Sequence, residues 1–304
     1  MSASSVTVQR DRAGWGGRVA DYVELSKPRI LTLVLISVSV SYWMATWGNP
    51  DMRILAGVLA GTLMVAASAS AMNQLMEWRR DAVMQRTANR PLPASRLRKR
   101  EAWIFAALTL IAGASAIYFT AGLGSLAWAC LTWLLYVLVY TPSKIRTPWN
   151  TLVGAVPGAM PVLIGWAASG ASYDVRVIGL YAILFLWQFP HFMAIAWMYR
   201  HQYDRAGMRM LSVVDPTGRR VGFHAMLAAA LLVPVSLLPA LAMSPISGGI
   251  YAAIALTMSL GQLAFAAAFR SRLTDRAARL LLRCTLLYLP LLLVLMVVFP
   301  WTTP

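Results

Sequence analysis

A chain of 304 residues that is 59% hydrophobic and only 12% charged falls well short of the charge of a soluble domain, about a quarter of its residues. A formal charge of +16 would suit a nucleic-acid binder. Repeated apolar runs near twenty residues instead point to an all-α, polytopic membrane protein with no nucleic-acid partner, whose inner loops supply the positive excess.

The N-terminal segment, 1–28, is basic up to Arg29 and has no apolar core or small-residue cleavage site of a secretory signal. Within it, WGGRVADYVELSK at 15–27 reads as a short interfacial helix leading into Pro28, which suits the first turn of a helix. Residues 29–304 read as one integral-membrane domain with nine spans, near 29–47, 54–75, 102–120, 122–140, 151–169, 177–198, 221–243, 247–268 and 277–298. With the N-terminus in the cytoplasm, 25 of the 27 lysines and arginines fall on the cytoplasmic side, leaving only Arg53 and Arg176 outside. Nine spans then put the C-terminus outside. Cys130 and Cys284 lie inside spans, without CxxC spacing, and read as small hydrophobes.

The polar chemistry gathers at the cytoplasmic ends of the helices, which suggests a site opening at one face with an apolar cavity behind it. Between the second and third spans stands AMNQLMEWRRDAVMQRTANRPLP, 71–93. If the helix continues through it, each step of four turns about 40° and rises about 6 Å, so Asn73, Glu77 and Asp81 form a ladder on one face. Two carboxylates at that spacing repel. A divalent cation reverses the penalty, and Mg²⁺ favours a few hard oxygens whose shell phosphates complete. Arg86 and Arg90 could then contact phosphate directly. On spacing alone, an ordinary Glu77–Arg80 salt bridge explains the segment more simply.

Further along, YTPSKIRTPWN at 140–150 offers Lys144 and Arg146, which topology alone explains as anchors. His191, after Pro190 in the sixth span, could ligate haem iron or bond a carbonyl freed by the proline. With no second histidine at suitable spacing, the structural role is the stronger expectation. At 199–211, YRHQYDRAGMRML supplies Tyr199, Tyr203 and Asp204; an exposed ion pair is the simple account of Asp204.

Taken together, these segments resemble the intramembrane prenyltransferases. The N-x-x-x-[D/E]-x-x-x-D signature with glutamate in the middle, followed by M-x-R-T-x-x-R-P-L-P, is similar to that of the protohaem farnesyltransferases, or haem O synthases. ELSKPRI (24–30), YTPSKIRTPWNTLVGAVPGAMPVLIGWAA (140–168), WQFPHFMAIAW (187–197) and YDRAGMRML (203–211) agree in the same order, so the likeness runs from about 22 to 215.

The resemblance implies nine helices around an apolar cavity and farnesylation of a haem b vinyl group by farnesyl diphosphate, in membrane lipid, with Mg²⁺ as cofactor. It implies a bacterial inner-membrane enzyme whose site faces the cytoplasm, with a haem A synthase downstream. By the same resemblance Asn73, Glu77, Asp81 and Asp204 hold metal, while Arg86, Arg90, Lys144, Arg146, Tyr199 and Tyr203 bind diphosphate. The family carries acids before the tyrosine matching Tyr203, where this chain has His201 and Gln202. Either Asp204 with the tyrosines substitutes, or the second metal is held more weakly. Two other readings stay open: a prenyltransferase for aromatic acceptors, although those read D-x-x-x-D twice, and a non-catalytic haem- or lipid-binding relative.

Overall fold

The structure is a computed structural model that describes residues 15–301. Arg10 and Arg12 lie outside the described residues. Apart from one isolated bridge between Met243 and Trp301, its regular structure is helical. Helix α1 (Trp15–Leu25) is followed by Lys27 in left-handed conformation (φ 56°) and by Pro28, which opens α2 (Pro28–Ala45). The proline fits there because its fixed φ suits a first turn and its missing N–H leaves no bond unmade. Asp51 caps α3 (Met52–Asp81) by accepting the Arg53 N–H at 2.8 Å.

Among the described residues, eight helical stretches are long and apolar enough to cross a membrane, but one of them, Lys99–Arg146, is 48 residues long. A straight helix of that length would span about 70 Å, more than twice a hydrocarbon core. Within α4 (Lys99–Leu134), Gly122 breaks the helix at φ 77°, a conformation open to glycine. Before it, Thr120 packs on Gly57 and Ile117 on Gly61. After it, Trp133 donates to Ser68 at 3.0 Å, and Asn73 donates to Thr141 at 3.1 Å. The chain therefore runs up α3 and back down it, crossing twice. Among the described residues the eight stretches thus account for the nine expected spans, two of them merged at Gly122.

The remaining helices are α5 (Thr141–Arg146), α6 (Asn150–Ala159), α7 (Pro161–Ala168), α8 (Val175–Met198), α9 (Arg200–Arg205), α10 (Leu211–Val214), α11 (Arg219–Val235), α12 (Pro245–Arg272) and α13 (Asp275–Val298). The largest buried apolar cluster joins α2, α7, α8, α12 and α13 through Met44, Trp166, Leu180, Tyr251 and Leu292. Close approach matters more than bulk at two crossings. A Cβ on Gly61 would meet the Gly113 carbonyl at 2.8 Å, and one on Gly165 would meet the Val38 carbonyl at 2.3 Å.

One end of the bundle collects α1, the 82–98 loop, α5, α9 and the α12–α13 turn. Arg96 binds Asp21 and Glu24 at 2.7 Å each, and Gln74 donates to the Leu25 carbonyl at 2.7 Å, so α1 is fastened to the end of α3. At the other end Arg176 is buried, bonded to Asp174 and to the Met44 carbonyl.

Candidate active site

The helix of α3 does continue to Asp81, and Asn73, Glu77 and Asp81 are all buried on its inner face. Each meets a different cation. The Lys27 ammonium donates to Asn73 Oδ1 at 2.6 Å. Lys144 Nζ lies 2.8 Å from Glu77 Oε1 and 3.0 Å from Oε2, and Arg90 Nη1 lies 2.8 Å from Asp81 Oδ2. The Glu77–Arg80 bridge that spacing favours is absent, because Glu77 turns inward to Lys144. This three-rung pairing removes the repulsion between the carboxylates by Coulomb attraction in a poorly solvated place.

Lys144 is aimed by its own chain. Between α4 and α5, Leu135–Tyr140 winds as a π-helix, and Thr141 Oγ1 donates to the Tyr136 carbonyl at 2.9 Å. Behind Lys144, the Arg209 N–H donates to its carbonyl at 2.7 Å, and Asn150 ties the Thr147 and Arg209 carbonyls together. Lys27 was not singled out by the sequence, although it sits in the ELSKPRI segment. Its partner is 46 residues away, a separation at which spacing carries no signal. Burial pushes the Lys27 ammonium down to about 7, helped by the charges of Arg90 and Lys144 and opposed by Glu77 and Asp81.

A second layer covers the ladder. Arg86 donates to the Tyr203 hydroxyl at 3.0 Å, and its guanidinium lies 4.7 Å from the Tyr199 ring centre. Tyr203 is buried, among Met84, Ala206 and Met208. Gln202 accepts the Arg86 backbone N–H at 3.4 Å, and His201, Asp204 and Arg146 are exposed. The structure thus gathers Asn73, Glu77, Asp81, Arg86, Arg90, Lys144, Tyr199 and Tyr203 but leaves Asp204 and Arg146 facing solvent. His191 stacks on Trp187 at 4.7 Å, and its Nδ1 meets the Thr285 hydroxyl at 3.0 Å, not a freed carbonyl.

Among the described residues, no three His, Cys, Asp or Glu side chains converge on one point. The ladder offers one amide and two carboxylates. Glu77 Oε1 is buried and paired with Lys144 yet receives no hydrogen bond. Such a set fits a hard divalent cation with part of its shell left for phosphate oxygens.

The sequence profile of the UbiA prenyltransferase family matches residues 34–287. The chain belongs to that family. A protoheme IX farnesyltransferase of Solibacter usitatus is 41% identical over 91% of this chain and 97% of the relative. The one of Rhodopirellula baltica is 39% identical over 90% and 98%. The mitochondrial protoheme IX farnesyltransferase of Arabidopsis thaliana is 36% identical, covering 91% of this chain and 64% of its own length. Solved structures share the UbiA fold at lower identity. A digeranylgeranylglyceryl phosphate synthase superposes with a TM-score of 0.76 at 17% identity, covering 92% of this chain and 98% of the other. A UbiA homologue of Archaeoglobus fulgidus bound to GPP and Mg²⁺ gives 0.70 at 15%, over 91% and 100%.

Proposed function

We propose that the chain is a protohaem IX farnesyltransferase that transfers farnesyl from farnesyl diphosphate to a vinyl group of haem b. Water adds in the same overall reaction, giving haem O and diphosphate. The observation that carries this reading is the buried Asn73–Glu77–Asp81 ladder with Lys27, Lys144 and Arg90 on its rungs, in a chain 41% identical to a protoheme IX farnesyltransferase over 91% of its length.

In this reading the diphosphate enters among Lys27, Arg86, Arg90, Lys144, Tyr199 and Tyr203. Mg²⁺, when bound by Asn73, Glu77 and Asp81, supplies charge to the departing phosphate oxygens. The basic side chains exchange a carboxylate or amide partner for phosphate, stabilising negative charge as the allylic C–O bond breaks. The vinyl π electrons attack the farnesyl carbon. Water then captures the porphyrin-conjugated cation and releases a proton. Gln202 holds the Arg86 backbone where an acid is expected, so we assign the Asn73 ladder the principal metal and the 201–204 turn a lesser share. The active site faces the cytoplasm of a bacterial inner membrane, and a haem A synthase consumes the product.

Purified protein given haem b, farnesyl diphosphate and Mg²⁺ is expected to yield a haem heavier by farnesyl plus water, with chelator abolishing the product. Farnesylation of a hydroxybenzoate-type acceptor in preference to haem would overturn the acceptor. Failure with any acceptor would favour a non-catalytic relative, a reading that His201 and Gln202 motivate.

A further inference from the structure

Three arginines that the ladder does not use, Arg79, Arg80 and Arg205, line a cavity of their own. It measures about 530 Å³ and is bounded by Met76, Trp78, Arg79, Arg80, Val83 and Arg205, a size at which small ligands bind. Arg80 loses its obvious partner because Glu77 is taken by Lys144. Arg79 rests against the Trp78 ring at 5.3 Å, and Arg205 donates to the His201 carbonyl at 3.3 Å. Among the described residues none of the three has a carboxylate partner. Three guanidiniums around one cavity raise the local positive potential and favour a ligand with more than one negative charge.

The cavity also has an apolar side, since Met76 and Val83 remain 40% and 54% exposed. Its occupant is therefore an amphiphile carrying anionic groups at one edge. Placement narrows the choice. On α3 the cavity residues Met76, Arg79 and Arg80 lie about 60–160° round the helix from Glu77 in one direction and Trp78 about 100° in the other, and Val83 follows just beyond the helix end. The cavity and the ladder are thus adjoining faces of the same turns. The ladder face already has Lys27, Arg86, Arg90 and Lys144 for a diphosphate, so the second cationic face suits a second substrate.

We infer that Arg79, Arg80 and Arg205 bind the propionate carboxylates of the porphyrin acceptor, with the macrocycle against Met76 and Val83 and its vinyl edge turned toward the ladder. The inference rests on the acceptor named under the proposed function. A phospholipid headgroup presents related anionic chemistry at the same end of the bundle, and the test separates the two.

Full-length protein in neutral detergent is titrated with zinc protoporphyrin IX and with its dimethyl ester, following porphyrin fluorescence. The expected result is binding of the diacid about tenfold tighter than the diester, the scale of one charge-assisted contact. R79Q/R80Q/R205Q should lose that preference, keep diester affinity and keep affinity for farnesyl thiodiphosphate. The triple lysine variant should recover part of it, which also controls for folding. Equal binding of diacid and diester by the wild type, or a preference unchanged in the glutamine variant, overturns the inference. So does a parallel loss of thiodiphosphate affinity, which would assign the arginines to the ladder. Displacement of porphyrin by phosphatidylglycerol but not phosphatidylcholine would assign the cavity to lipid. Arginine-dependent diacid binding without any haem product would leave the cavity standing and fell the farnesyl-transfer reading; haem product without diacid preference would do the reverse.

Discussion

At the scale of single residues, the ladder is a set of buried polar and charged pairs that the proposed reaction would exchange for phosphate. Lys27 is the most sensitive, because burial holds it near 7 while a bound polyanion would draw a proton back onto it. Diphosphate binding should therefore weaken as pH rises above about 7, by up to about tenfold per unit. Lys27→Arg, charged throughout, should lack this fall in calorimetric titration with farnesyl thiodiphosphate, and the difference between the wild-type and variant profiles, which cancels the ligand's own titration, should therefore grow above pH 7. Glu77→Gln is expected to lower turnover at least about a hundredfold while thermal unfolding in detergent stays within a few degrees. Loss of folding with it would show Glu77 to be structural. The ladder itself was legible because a helix repeats its faces at fixed intervals. Its cations were only partly so: Lys144 and Arg90 stood in the recognised loops, whereas Lys27 reaches Asn73 from a separate helix start. Asp204 matched the loop in sequence, but α9 turns Tyr203 inward, and its neighbour consequently faces out.

Among elements, the α3–α4 contact illustrates how little room separates backbones in an apolar solvent. Without a hydrophobic drive between helices, small residues let them approach, and Gly57 and Gly61 stand one turn apart against Thr120 and Ile117. Gly61→Leu should lower the unfolding temperature in detergent by several degrees, since a Cβ there meets Ile117 Cγ1 at 2.5 Å and also the fixed backbone at the Gly113 carbonyl, 2.8 Å away. Gly57→Ala should cost less, because the atoms it meets belong to the Thr120 side chain. Lys99–Arg146 is one continuous apolar stretch, yet the boundary expected between spans 102–120 and 122–140 falls where Gly122 turns left-handed, and the paired contacts on either side bear out the reversal.

For the whole molecule, the positive charge and the ladder share one end, and the proposed orientation places both in the cytoplasm. A cysteine at Gln85 should be shielded from an impermeant maleimide in intact cells, whereas one at Asn49, exposed at the opposite end, should label; the reverse pattern would invert the topology. The bundle was legible as a count of apolar runs, since lipid demands helices of set length. Which helix turned which side chain to the site was not, because that depends on rotation about the axis. The π-helix at Leu135–Tyr140 makes the point. It works as a phase adjustment between the membrane span before it and Lys144, the partner of Glu77: dropping one residue there would rotate everything beyond it by about 100°. Chain length in that stretch is therefore under a tighter constraint than side-chain identity. An enzyme that tolerates Val139→Leu should be silenced by removal of Val139.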